Sequence, residues 1–83
     1  MIERTLAVNA SFETRSVALL VQTASKFRSK VLIQSDQRTA NVKSVMGVIS
    51  LGITEGETVQ LIVEGDDELQ AISALEQFFI VAR

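Results

Sequence analysis

Ser44 and Lys43 are the residues of this 83-residue chain best placed to do chemistry. A serine directly ahead of an apolar helical run is a typical helix cap, its oxygen accepting from backbone N–H groups two or three residues on. Val45, Met46, Val48, Ile49 and Leu51 follow it, with Gly47 between them. Five apolar side chains in seven positions exceed what one helical face can hide against a small core. Some of them must face solvent or a partner. A hydroxyl at a helix start, beside a lysine and an exposed apolar patch, is a candidate regulatory site. The plainer alternative is that Ser44 is only a cap and that Met46 and Ile49 are core.

Much other chemistry is excluded. The chain has no cysteine, so disulfides and cysteine-ligated metals are ruled out. It has no histidine, which removes the usual general base, zinc ligand and imidazole phosphoryl acceptor. No metal or cofactor is expected, and no enzyme activity. Residues 1–43 carry seven basic and three acidic groups, net +4, whereas residues 44–83 carry one basic and seven acidic groups, net −6. One surface can therefore be basic on an acidic protein and steer an acidic protein partner. Nucleic acid is not an expected partner, because the pI is about 5.0 and no aromatic is interleaved with the basic residues. Glu3 and Arg4 interrupt the apolar run at the N-terminus, so no signal peptide is read there. No apolar run approaches the roughly 20 residues that span a bilayer, so a cytosolic protein with no membrane contact is expected. The length implies one domain over 1–83.

The elements that position Ser44 follow from periodicity. Ile2, Arg4, Leu6 and Val8 alternate with Glu3, Thr5 and Ala7, which predicts a strand. A helix capped by Thr14 or Ser16 carries Val17, Leu20, Val21, Ala24 and Phe27 on one face, and Lys26, Arg28 and Lys30 end it. Val31 to Ser35 is a strand, turned at Asp36–Gln37 or Gln37–Arg38 into a second over Thr39 to Val42. The Ser44 helix runs to about Leu51, and Gly52 ends it. A turn around Gly56 leads to a strand over Thr58 to Glu64. Asp66, Asp67 and Glu68 open the last helix, whose buried face is Leu69, Ile72, Leu75 and Phe79, with Phe78 alongside. The order β-α-β-β-α-β-α permits an antiparallel sheet with helices on one face, an α+β architecture.

This order and three stretches, LLVQTASKF (19–27), NVKSVMGVISLG (41–52) and EGDDELQAISALEQF (64–78), resemble the HPr family, small phosphocarriers of the bacterial sugar phosphotransferase system. The resemblance spans nearly the whole chain. It implies an open-faced sandwich, a four-stranded antiparallel sheet with three helices on one face. At the family's phosphoryl-transfer loop the pattern Gly, apolar, His, Ala, Arg, Pro, Ala is replaced by Ser11, Phe12, Glu13, Thr14, Arg15, Ser16, Val17. Glu13 stands at the acceptor histidine, Ser16 stands at the proline, and Arg15, used in the family against the phosphoryl group, remains.

Transfer through phosphohistidine is therefore not expected. The resemblance implies a regulatory role instead, because the serine matching Ser44 is phosphorylated by HPr kinase/phosphorylase in Gram-positive members. A histidine-lacking branch, the catabolite-repression HPr-like proteins, acts when phosphorylated as corepressor of the catabolite control transcription factor. That branch has glutamine where this chain has Glu13 and keeps the proline replaced here by Ser16. The expected docking residues are Arg15, Lys43, Val45, Met46 and Ile49 around Ser44. Three alternatives stay open. Glu13 accepts a phosphoryl group from phosphotransferase-system enzymes as an acyl phosphate; Glu13 permanently imitates a phosphohistidine; or the chain is a specialised scaffold. It is either a monomer or a dimer, and the Ser11 and Ser16 replacements leave strand exchange between protomers open.

Overall fold

The computed structural model describes residues 1–8, 14–54 and 56–81, apart from the side chains of residues 14, 80 and 81. Glu13, Ser11 and Phe12, which carry the altered loop, lie outside the described residues.

The described chain forms β1 (Ile2–Ala7), α1 (Thr14–Ala24), β2 (Lys30–Ser35), β3 (Arg38–Asn41), α2 (Val45–Ser50), β4 (Thr58–Glu64), α3 (Glu68–Glu76) and β5 (Ile80–Val81). The four strands expected from alternation form one antiparallel sheet. A fifth, β5, pairs Ile80 with Ala7 and Val81 with Leu6, so the order is β3-β2-β4-β1-β5. Two residues are too short for alternation to reveal. The helices cover one face. Leu6, Val31, Ile33, Val59, Leu61 and Val63 of the sheet and its flanks meet Val17, Leu20 and Ala24 of α1, Val48 of α2, and Ala71, Ile72 and Leu75 of α3.

Several boundaries move. Helix α1 begins at Thr14, so Thr14 and Ser16 are helical residues rather than the cap. It ends at Ala24, which leaves Lys26 and Arg28 in the following turns and puts Lys30 in β2; the cations do not sit in its last turn. The hairpin turn is Asp36–Gln37, since Ser35 pairs with Arg38, and Asp36 takes the left-handed conformation the turn needs, φ +57°. Helix α3 starts at Glu68 and stops at Glu76, so Asp66 and Asp67 precede it, and Phe79 reaches the core from a turn.

Leu69 is a further correction: it is exposed, and Ala71 takes the core position instead. At 100° per residue, Ala71, Ile72 and Leu75 share one arc, and Leu69 falls about 110° from its centre. Three helical residues on one side of the axis outweigh an i, i+3 relation to Ile72 alone.

The start of α3 is tied to the turn before β2. Asp67 occupies the N-cap position but makes no side-chain bond to its own helix. Its carboxylate accepts from the N–H groups of Arg28 at 2.8 Å and Ser29 at 3.0 Å and from the buried Ser29 hydroxyl. Gly65 sits over Ser29 so closely that a Cβ would lie 2.5 Å from Ser29 Oγ and 2.7 Å from Ser29 Cα. Glu68 takes the N–H of Gly65 at 3.1 Å and pairs with the N-terminal ammonium at 3.1 Å.

Candidate functional site

Helix α2 follows β3 after a turn set by Asn41, whose Oδ1 accepts from the N–H of Lys43 at 2.9 Å. Ser44 is extended, φ −117° and ψ +114°, and its Oγ accepts from the N–H of Gly47 at 3.1 Å. Its carbonyl accepts from Val48 N–H at 3.1 Å. Ser44 is thus the N-cap expected from sequence, and it stays exposed. Gly47 has a reason to lack a side chain: a Cβ there would lie 3.2 Å from Ser44 Oγ and 3.6 Å from Ala40 Cβ. The glycine leaves the hydroxyl room beside the first turn.

The apolar residues of α2 divide by angle around the helix. Val48 and Leu51 are buried and define the inward direction. At 100° per residue, Val45, Ile49 and Met46 stand about 90°, 130° and 170° from it. Their exposures rise in that order, 38%, 45% and 73%. The patch expected from the surplus of apolar residues is therefore real, with Met46 at its crest. Leu19, exposed on α1, adds to the apolar surface of a helix that packs against α2.

The charged candidates are placed differently. Lys43 is partly buried, and its ammonium donates to the carbonyl of Phe27 at 2.8 Å. The cation is anchored in the turn after α1, not on the Ser44 hydroxyl. Arg15 stands exposed in the first turn of α1.

Sequence reasoning missed the far end of α2. Arg38 of β3 donates from Nη2 to the carbonyl of Leu51, the C-cap residue. Gly52 follows at φ +63°, the left-handed exit common after a helix. Glu57 accepts from the buried Ser35 hydroxyl and, at 3.3 Å, from the N–H of Thr54. The Ser35 hydroxyl foremost, then Thr54, and least the charge of Arg38 hold the Glu57 carboxyl below its ordinary range, against an opposing push from partial burial. The available signal was a pair of opposite charges flanking the helix, too far apart in sequence to be recognised. An open groove of about 500 Å³ runs between β3 and α2, lined by Arg38, Thr39, Ala40, Gly47, Ser50 and Leu51. Among the described residues no cluster of acidic side chains is arranged to hold a metal ion, and no helix is long and apolar enough to cross a membrane.

Comparison with known proteins bears on the family and the fold. Residues 2–80 match the family described as PTS HPr component phosphorylation site. The HPr-like protein Crh of Halalkalibacterium halodurans is 41% identical over 80 residues, covering 94% of this chain and 95% of that protein. The crystal structure of phosphocarrier protein HPr from Bacillus anthracis superimposes with a TM-score of 0.88 at 32% identity, covering 94% of this chain and 95% of the other. Crh of Bacillus subtilis, whose crystal structure is described as a swapped dimer, gives a TM-score of 0.75 at 37% identity, covering 88% of this chain and 82% of that one.

Proposed function

The chain belongs to the HPr family, and from that premise we propose that it is a regulatory member of the sugar phosphotransferase and carbon catabolite control system, switched by phosphorylation on Ser44 and acting by docking to other proteins. The observation that carries this reading is an exposed N-cap hydroxyl at one end of a short helix whose outer face is Val45, Ile49 and Met46. The chain has no histidine, so it cannot carry a phosphoryl group on imidazole. It is a binding protein, not an enzyme.

The chemistry of the switch follows from the cap. The Ser44 oxygen already faces the Gly47 N–H. A phosphoryl group on it presents three strong acceptors to a helix N-terminus, where the free N–H groups and the dipole favour an anion. The helix need not refold. What changes is the surface: a dianion appears beside an apolar patch and alters which partner it accepts. A partner suited to the modified form sets a cation against the phosphate and an apolar pocket against Met46 and Ile49. Arg15 and Lys43 border this surface in the proposal, Lys43 through its backbone and stem because its ammonium is held by Phe27. The partners proposed are HPr kinase/phosphorylase, the catabolite control transcription factor and phosphotransferase-system enzymes. The protein works in the cytoplasm, as a monomer or a dimer.

Mass spectrometry after incubation with HPr kinase and ATP tests this, with Ser44→Ala as control. One phosphate on the wild type and none on the variant is expected, followed by binding of the modified protein to the catabolite control factor. No phosphate on the wild type overturns the reading. Incubation with phosphoenolpyruvate and the first enzyme of the system should leave the protein unlabelled; label on Glu13 would instead make it a carboxylate phosphocarrier.

A further inference from the structure

Helix α2 has six residues, too few to hold a helical shape alone. Val48 is the side chain it buries, with the C-cap Leu51 buried beside it, and its outer face meets solvent. Its two ends must therefore do much of the work of placing it. The Ser44 cap secures the first end. At the second, Arg38 grips the Leu51 carbonyl and Glu57 grips the Thr54 N–H just beyond, while the Ser35 hydroxyl at the end of β2 holds Glu57. The residues leaving α2 are thus fastened to the β2–β3 hairpin on one side and to the approach to β4 on the other. A cation on the last carbonyls also offsets the negative end of the helix dipole.

We infer that Arg38 and Glu57 are positioning residues for the Ser44 surface: they hold the C-terminal end of α2 against the β2–β3 hairpin, so that the Ser44 hydroxyl and the Val45, Met46 and Ile49 side chains meet a modifying kinase and a docking partner in one fixed arrangement. This rests on the reading of α2 as the modified, partner-binding surface and identifies what sets its geometry. Neither residue touches the transferred phosphoryl group. Each acts through the backbone of residues 51–54.

The test uses Arg38→Gln, Arg38→Lys and Glu57→Gln, with Ile72→Val on α3 as a control for general loss of stability. Hydrogen exchange is read at the amides of Val48, Leu51 and Gly52, which donate to the carbonyls of Ser44, Val48 and Ile49. Loss of a charge-assisted hydrogen bond should speed these amides about tenfold relative to Leu61 and Val63 of β4 in Arg38→Gln, and by less in Glu57→Gln. Arg38→Lys, which keeps the charge, should recover most of the protection. Ile72→Val should not raise the α2 rates relative to β4. In the kinase assay, Arg38→Gln should raise KM for the protein several-fold, and Arg38→Lys should restore it. Unchanged exchange in α2 relative to β4, or an Arg38→Lys protein as impaired as Arg38→Gln, overturns the inference. If the wild type takes no phosphate, the reading of Ser44 fails, and the exchange measurement still decides whether Arg38 and Glu57 hold the helix.

Discussion

Two helix N-termini in this molecule carry polar caps of the same general kind and use them in opposite ways. Ser44 turns its oxygen onto its own helix, to the Gly47 N–H, and remains exposed. Asp67 makes no bond to its own helix and uses both carboxylate oxygens on the Arg28–Ser29 turn. Around Ser44 a glycine leaves space; around Asp67 a glycine allows contact closer than any side chain could. A cap that serves only its own helix leaves its oxygen free to change chemically. A cap that joins two segments cannot be altered without parting them. The fold thus keeps the exposed cap and the fastened cap on different helices.

That division predicts an order of effects in stability. The largest should come from Gly65→Ala, where a Cβ has no room against Ser29; about 3 kcal/mol is expected in a denaturant titration, with a lower midpoint and an unchanged slope. Asp67→Ala should come second, lowering Tm clearly because the N–H groups of Arg28 and Ser29 and the buried Ser29 hydroxyl lose their acceptor. Ser44→Ala should cost only about 1 kcal/mol, and Ser44→Asp, which still caps, much less. Met46→Gln should stay within about 0.5 kcal/mol in the same titration while weakening partner binding. If Ser44→Ala proved costlier than Asp67→Ala, the contrast between the two caps would collapse.

Acid separates the same two regions. The Ser29 hydroxyl foremost and the Arg28 N–H hold Asp67 below its ordinary pKa, and the Gly65 N–H followed by the N-terminal ammonium does the same for Glu68. A carboxyl whose pKa is lower in the folded chain than in the unfolded one gives stability that is fully present above the ordinary value of about 4 and is lost as pH falls through the lowered value. Tm should therefore be flat above about pH 5 and fall below about pH 4. Asp67→Asn should make that acid limb shallower, with Glu68 and Glu57 retaining part of it, whereas Ser44→Ala should leave its shape unchanged, because serine does not titrate there.

Local devices could be read from the sequence. Ser44, Gly47 and the surplus of apolar residues after them lie within one helical turn or two, and the cap and exposed patch follow from that spacing alone. Strand β4 was legible because Val59, Leu61 and Val63 alternate without interruption. What escaped depends on contacts distant in sequence. The end of α1 reads later in the sequence than it falls in the structure, because Phe27 keeps helical spacing yet packs against the core from beyond the helix. Leu69 reads as buried from its spacing to Ile72, and only the burial of Ala71 shows that the inner face turns away from it. The Ser35–Glu57 and Ser29–Asp67 bonds join residues 22 and 38 positions apart, and no periodicity signals them. The lysine beside Ser44 was legible as a neighbour, but its anchorage on Phe27 was not.

The strand order has a consequence for the chain as it is made. Of the four pairings among the described residues, only β2–β3 joins neighbours in sequence. Strand β1 is synthesised first, yet its partners β4 and β5 come last, with Ala7 waiting for Thr58 and Ile80. At typical synthesis rates that wait for β4 is roughly 3 to 10 seconds. For that time nascent β1 is an unpaired strand with Leu6 and the adjoining Val8 uncovered, the kind of segment that recruits chaperones or neighbouring chains. Glu3 and Arg4, which interrupt its apolar residues, are charges of the sort that keep such a strand from sticking while the ribosome finishes the rest.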